Sequence, residues 1–138
     1  MKKLRIVLGS NDGKNIILDH MGEAKNFLIY DLFENGQFKF LEKRENTSPE
    51  TKGHGDVNKL KVAMEIFKDA DVVLSRKISP NYIKMRDNTK FQPVLTEIDL
   101  ALASILELGK IFDRIYGLVE QRRHGKMPKD IPKLEKKQ

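Results

Sequence analysis

The chain contains no cysteine and no tryptophan, and it has only three histidines in 138 residues. The absence of cysteine excludes disulfides, and it also excludes thiolate ligation of zinc or of iron–sulfur clusters. Histidine, carboxylate, methionine and backbone groups are then the available protein ligands. Any metal site in this chain is therefore predicted to be open or weak.

Long hydrophobic runs are also missing. No run reaches the roughly 18 apolar residues that a bilayer span requires. The N-terminal sequence MKKLRIVLGS turns polar before an apolar targeting segment could form. We therefore expect a cytoplasmic protein with no membrane partner, and its length and 39% hydrophobic content fit one domain with a single core.

The positive charge is concentrated at the C-terminal end. Residues 108–138 hold nine Lys/Arg against four Asp/Glu, which leaves 17 against 16 for the rest of the chain. The final residues, 125–138, are predicted to form a disordered basic tail. Such a tail attracts anionic partners, but no aromatic residue beyond Tyr116 is available to stack on bases, so the sequence does not favour nucleic acid.

Local patterns in the first third predict an antiparallel meander. An apolar strand over residues 4–8 ends at an Asn-Asp-Gly turn, and residues 15–19 (NIILD) predict a second strand pairing with it. Asn35-Gly36 is a strong hairpin signal between strands predicted over residues 27–32 and 37–43.

The remaining two thirds predict alternating helices and strands. A helix begins at residue 57, VVLS is typical of an interior parallel strand, Ser79-Pro80 opens a short helix, and QPVLT forms a further strand. The last helix is predicted from residue 97, with Gly109 and Gly117 as kinks or ends. A meander followed by such alternation indicates an α/β fold, a mixed sheet covered by helices on both faces.

A ligand site is predicted at the carboxyl ends of the parallel strands, where open α/β sheets bind their ligands. Asn11, Arg76, Lys77 and Ser79 should converge there, beside the N-terminus of the helix that Pro80 opens. Cations next to exposed backbone N–H groups favour an anionic ligand. The alternative is that the two cations are solvated loop charges.

Catalytic motifs are not evident. GSNDG matches no phosphate-binding pattern, and a hairpin explains it. The aspartates show no spacing that would force a two-metal site, and no serine or lysine is paired with a base. We therefore expect a protein that is not an enzyme.

The histidines are the candidate metal ligands. His20 lies in LDHMGEAKNFLIYD between two apolar runs, where Gly22 permits a sharp turn and Met21 adds a soft side chain. His54 lies in a Gly-His-Gly loop before the first long helix, and His124 lies in the basic region. Solvated histidines in turns are common, so a surface role for each is the alternative.

Taken in order, these segments resemble the dinitrogenase iron–molybdenum cofactor-binding family, which includes the accessory protein NifX and the C-terminal domain of NifB. The matching segments are LGSNDG, DHMGEAKNFLIYDL, NGQFKFLEKREN, the Gly-His-Gly loop, DADVVLSRKISP and QPVLTEIDLALASIL. They cover about three-quarters of the chain, and their order is more specific than any one of them.

The resemblance implies a three-layer α/β/α, ribonuclease H-like fold with a five-stranded mixed sheet over residues 1–107, followed by an extension of the last helix over 108–124 and the tail. It implies non-enzymatic carriage of an iron–molybdenum or iron–sulfur cluster, with metallocluster assembly or acceptor proteins as partners. Alternatively, the C-terminal helix and tail form a protein- or nucleic-acid-interaction module. A homodimer through the last helix is left open. The implied metal ligands are His20 and His54, and the other implied cofactor-binding residues are Asn11, Met21, Gly22, Arg76, Lys77 and Ser79.

Overall fold

A mixed sheet with helices on both faces forms the fold, in a computed structural model that describes residues 1–48 and 57–136. Within these residues the sheet has six strands in the order β3-β2-β1-β4-β5-β6. The strands are β1 (Lys3–Ser10), β2 (Asn26–Phe33), β3 (Phe38–Glu45), β4 (Val72–Ser75), β5 (Gln92–Thr96) and β6 (Lys133–Leu134). The helices are α1 (Val57–Ile66), α2 (Pro80–Asn88), α3 (Ala101–Lys110) and α4 (Phe112–Arg123), with a 3₁₀ turn at Met21–Glu23.

The sheet has an antiparallel half and a parallel half. β1, β2 and β3 pair antiparallel, whereas β4, β5 and β6 continue parallel to β1. The predicted hairpin is confirmed, because β2 and β3 are joined through Asn35-Gly36, and Gly36 takes a φ of +87° that few other residues adopt. The predicted strands VVLS and QPVLT are also confirmed, as β4 and β5.

Alternating side chains of the strands build two cores, one on each face of the sheet. Leu4, Ile6 and Leu8 of β1 pack in the core that contains α3 and α4, and Val7 packs in the core that contains α1 and α2. The predicted α/β class with helices on both faces is therefore confirmed. The ribonuclease H-like classification stays a prediction.

The strand predicted over residues 15–19 is wrong. The central residues of β1, Ile6 to Leu8, are already paired with β2 on one side and β4 on the other, so a third strand cannot pair along β1. The segment instead forms separate contacts: Asn15 makes an isolated bridge to Leu100, and the Ile17 N–H donates to the carbonyl of Gly9 at 2.9 Å.

The five-strand count and the disordered tail are also wrong for the described residues. β6 extends the sheet beyond β5, and Leu134 within it is buried in the core with α3 and α4. The amide of Gln92 donates to the carbonyl of Asp130 at 2.9 Å, which fixes the segment leading to β6. Residues 126–136 are thus part of the domain.

The last helical region begins later than predicted and is divided. α3 begins at Ala101 rather than at residue 97, and Ile111 separates it from α4. The division lies next to Gly109, whose Cα approaches the hairpin turn so closely that an added Cβ would meet Gly36 Cα at 3.4 Å. Gly117 lies inside α4 and does not end it.

Candidate functional site

The strand order reverses at β1. The chain continues from β1 to β2 and β3 on one side of it, and then crosses to β4 and β5 on its other side. Ligands of open α/β sheets bind beside the carboxyl ends of strands at such a reversal. Two clefts open there. Most of the residues that line them lie in the segments that follow β1, β4 and β5, and α1 contributes to the first cleft.

The first, called the His20 cleft, lies between the 3₁₀ turn, α1 and the start of α2. Its volume is about 30 Å³, room for one or two water molecules, since a single water needs about 10 to 15 Å³. Five of the predicted site residues line it: His20, Met21, Gly22, Lys77 and Ser79. The full lining is His20, Met21, Gly22, Glu23, Lys59, Leu60, Lys77, Ser79, Asn81 and Tyr82.

The backbone of His20 is held by its neighbours. Its N–H donates to Asp19 Oδ1 at 2.8 Å, and its carbonyl accepts from the N–H of Glu23 at 2.9 Å, which closes the turn. The turn packs tightly on β1, because a Cβ added to Gly9 would lie 2.7 Å from Ala24 Cβ. The half-buried imidazole is therefore presented from a fixed backbone.

Met21 and Gly22 are buried, whereas His20 is only half-buried. Met21 is 4% exposed and belongs to the core with α1 and α2, so its side chain mainly packs. Gly22 is buried beside α1, where an added Cβ would contact Lys59 Cγ at 3.8 Å. Both residues shape the wall of the cleft.

Two lysines line the His20 cleft, and they differ in their pairing. Lys59 Nζ lies 2.9 Å from Glu23 Oε2, and this ion pair joins α1 to the 3₁₀ turn with the Lys59 side chain only 11% exposed. Lys77 is exposed and makes no ion pair with any described residue. Sequence reasoning missed Lys59, because the pattern of α1 was interpreted only through its apolar residues.

The hydroxyl groups of the cleft serve the fold. Ser79 Oγ accepts a hydrogen bond from the N–H of Tyr82 at 3.2 Å, so Ser79 is the predicted N-cap of α2. Tyr82 Oη lies 2.6 Å from the carbonyl oxygen of Val73 and 2.9 Å from that of Val94, where it links β4 to β5. Burial raises the pKa of the Tyr82 phenol far above its ordinary value.

Asn11 and Arg76 lie in the second cleft, and the structure does not bring them together with His20. The Arg76 guanidinium forms an ion pair with Asp99 and donates from Nη2 to the carbonyl of Glu97 at 3.2 Å. Asn11 Oδ1 accepts from the N–H of Lys25 at 2.9 Å. Arg76 is thus neutralised within the chain, whereas Lys77 is not.

His54 lies outside the described residues, so its part in the site stays a prediction. Within residues 1–48 and 57–136 no group of three histidine, aspartate or glutamate side chains is arranged to hold a metal ion. The described part of the His20 cleft thus offers a single imidazole.

The basic C-terminal region is largely neutralised by its own neighbours. Arg122 is buried among carbonyl oxygens. Of the described cations of this region, only Lys126 and Lys136 have side chains that bind no polar group of the described residues. The ion pairs are Lys110–Glu107, Arg114–Asp130, Arg123–Glu120, Arg123–Asp71, Lys129–Asp87 and Lys133–Glu97. A surface paired in this way offers few free charges to a polyanion, and the interaction-module alternative gains no support.

The structure is an α/β domain with a cleft, lined by His20 and Lys77, at the point where the strand order of its sheet reverses. The family model described as dinitrogenase iron–molybdenum cofactor matches residues 2–108, and the chain belongs to that family. The predicted family is therefore confirmed. No curated protein matches the chain. Among the described residues, no helix combines the length and the apolarity needed to cross a bilayer.

Proposed function

We propose that the chain carries an iron–molybdenum or iron–sulfur cluster as cargo, without catalysing a reaction, and exchanges it with metallocluster assembly or acceptor proteins. The observation that supports this is the placement of one imidazole, His20, beside two lysines, Lys59 and Lys77, in one cleft. Imidazole is a suitable ligand for iron, and the positive charge of Lys77 attracts an anionic cluster. Ligation by so few groups suits cargo that must be released.

The size of the cleft determines where such cargo binds. At about 30 Å³ the His20 cleft cannot enclose a metallocluster. The cluster is therefore proposed to rest at the mouth, ligated by His20, with Lys77 supplying the available charge because Lys59 is already paired with Glu23. A cluster held at the mouth keeps one side accessible to a donor or acceptor protein.

The test is anaerobic loading with isolated iron–molybdenum cofactor, and separately with an iron–sulfur cluster, followed by desalting and metal analysis. His20→Ala is expected to lower cluster affinity by about tenfold or more, since it removes the ligating group. Lys77→Ala is expected to weaken binding less, and mainly at low salt, because its contribution is electrostatic. His54→Ala tests the second predicted ligand in the same assay.

His124→Ala is the matched control. His124 lies at the end of α4, where Nδ1 is 2.8 Å from the carbonyl oxygen of Glu120, and it does not line the His20 cleft. Loading of this variant should equal that of the native protein. If the native protein retains no cluster, or if His20→Ala and His124→Ala retain equal amounts, the proposal is wrong.

A further inference from the structure

An apolar groove runs between α1 and α2, on the outer surface of the domain. Leu60 and Met64 of α1 and Met85 of α2 form its floor, and its volume is about 220 Å³. An apolar cavity of about 150 Å³ is enough to hold benzene. The groove therefore has room for one or two aliphatic side chains supplied from outside.

The rim of this groove is positively charged. Lys61 and Lys84 line opposite sides, one on each helix, and both are exposed. Neither forms an ion pair with any described residue, although most cations of the C-terminal region are paired. An apolar floor between two unpaired cations is complementary to a segment that presents aliphatic side chains flanked by carboxylates.

The acidic residues that the structure describes on the two helices near the groove do not cancel this charge, because each pairs with a cation of its own. On α1, Glu65 lies 3.1 Å from Lys68 Nζ. On α2, Asp87 lies 2.9 Å from Arg86 Nε and 2.7 Å from Lys129 Nζ. Counted over the described residues, the rim of the groove thus keeps a net positive charge.

The groove is also continuous with the His20 cleft. Leu60 and Asn81 line both of them. A partner segment seated on the groove would therefore lie beside His20 and Lys77. Methionine side chains, of which the groove has two, adapt readily to different apolar surfaces.

We propose that the α1–α2 groove is the docking site for an acidic amphipathic helix of a partner protein. Its apolar side chains, spaced i and i+4, enter between Met64 and Met85, and its carboxylates pair with Lys61 and Lys84. Docking needs no bound cluster, so it can be tested on the chain alone, and cluster loading can fail without affecting it.

The probe is a fluorescently labelled synthetic helix of roughly 15 residues, long enough to populate helical structure, with two leucines at i and i+4 and glutamates beside them. Fluorescence anisotropy measures its binding to the full chain. Lys61→Glu/Lys84→Glu is expected to weaken binding by about tenfold or more, and added salt should weaken binding to the native chain.

Two controls isolate the groove. Lys14→Glu/Lys39→Glu makes the same change in net charge at exposed lysines that form no ion pair with described residues and lie away from the groove, and binding should stay within about twofold of native. A second peptide with serine in place of both leucines should not bind, because the floor then has nothing to bury.

The proposal is overturned if the leucine peptide does not bind, if both double variants lose binding equally, or if the serine peptide binds as well as the leucine peptide. Vesicles of phosphatidylcholine, with and without phosphatidylserine, complete the test. Binding to the anionic vesicles in the absence of peptide binding would assign the groove to a membrane surface and would also overturn it.

Discussion

Arg122 Nε donates a hydrogen bond to Gln92 Oε1 at 2.9 Å, in the contact between α4 and β5. The other guanidinium nitrogens donate to the carbonyl oxygens of Arg86, Thr89 and Pro128. Arg122 is only 5% exposed, and burial lowers its pKa. One side chain on α4 therefore fixes the connection between α2 and β5, and with it the beginning of the C-terminal segment.

Arg122→Met should destabilise the domain. Methionine fills similar space but leaves several buried acceptors without donors, and the free energy of unfolding is expected to fall by about 2 to 4 kcal/mol. Urea denaturation measures this loss. Arg114→Met is the control, because Arg114 is 53% exposed in its pair with Asp130, and its effect should stay within about 0.5 kcal/mol. Equal losses for the two variants would show that the buried contacts of Arg122 do not stabilise the fold.

Truncation after Gly125 should destabilise the chain and promote self-association. It removes β6, exposes the edge of β5, and deletes Leu134, whose burial alone is worth about 1.5 to 3 kcal/mol. Urea denaturation and light scattering measure the two effects. A chain that ends at residue 136 keeps β6 and should behave as the native protein does. A truncated chain that remains as stable and as monodisperse as this control would contradict the ordered C-terminal segment.

Two glycine substitutions should have opposite effects. Gly9→Ala would place a Cβ 2.7 Å from Ala24 Cβ and 3.2 Å from Ile17 Cγ2, and such overpacking costs about 1 to 3 kcal/mol. Gly117→Ala, inside α4, meets no heavy atom within 4 Å and should gain up to about 1 kcal/mol from helix propensity. Thermal unfolding of both variants tests the pair. A stable Gly9→Ala variant would show that the 3₁₀ turn is not packed against β1 in this way.

Acid should weaken the fold through Asp69. Hydrogen bonds from Arg44, at 2.5 Å, and from Arg5, at 3.0 Å, hold the pKa of the Asp69 carboxyl well below its usual range. A depressed folded-state pKa contributes stability that is present above the ordinary aspartate pKa of about 3.9 and is lost as the pH falls below it. Asp69→Asn should lower stability near neutral pH and flatten the acid dependence.

Urea denaturation at about pH 7 and about pH 3 measures this dependence. Asp113→Asn is the matched control, because Asp113 is exposed on α4 and pairs with no described cation. Its acid dependence should match that of the native protein. If Asp69→Asn does the same, the ion pairs with Arg44 and Arg5 do not contribute to acid sensitivity.

The elements that could be predicted are those with a strong local signal. The hairpin at Asn35-Gly36 follows from the positive φ that its turn requires, and the start of α2 follows from a serine cap and a proline at the first helical position. Both signals act within a few residues, so the sequence shows them without knowledge of distant contacts.

The elements that could not be predicted depend on pairing and packing between distant residues. NIILD has strand-like composition, but the central residues of β1 have no edge left for it once β2 and β4 are paired. The charged C-terminal segment has the composition of a disordered tail, yet Arg122 and Gln92 bind its carbonyl oxygens. Composition does not show where a segment finds its hydrogen-bond partners.

The candidate site shows the same division. Arg76 and Lys77 both follow β4, so their place at the carboxyl end of the sheet was predictable. The prediction that they converge at one site with Asn11 and Ser79 is wrong, because Arg76 lines the second cleft and Lys77 lines the His20 cleft. The inclusion of Lys59 in the His20 cleft was not predictable, because it depends on how α1 lies against the 3₁₀ turn.

The sequence by itself determined the local elements of this protein and limited the side chains that are candidate metal ligands. The absence of cysteine excluded thiolate ligands, and the family resemblance pointed to His20 and His54 among the three histidines. Short-range backbone preferences specified the hairpin and the start of α2. Only the tertiary structure decided that Arg76 is neutralised by Asp99 while Lys77 stays available beside His20. The physical reason is that backbone preference acts between neighbours in the chain, whereas charge pairing depends on which segments the completed sheet and its helices bring together.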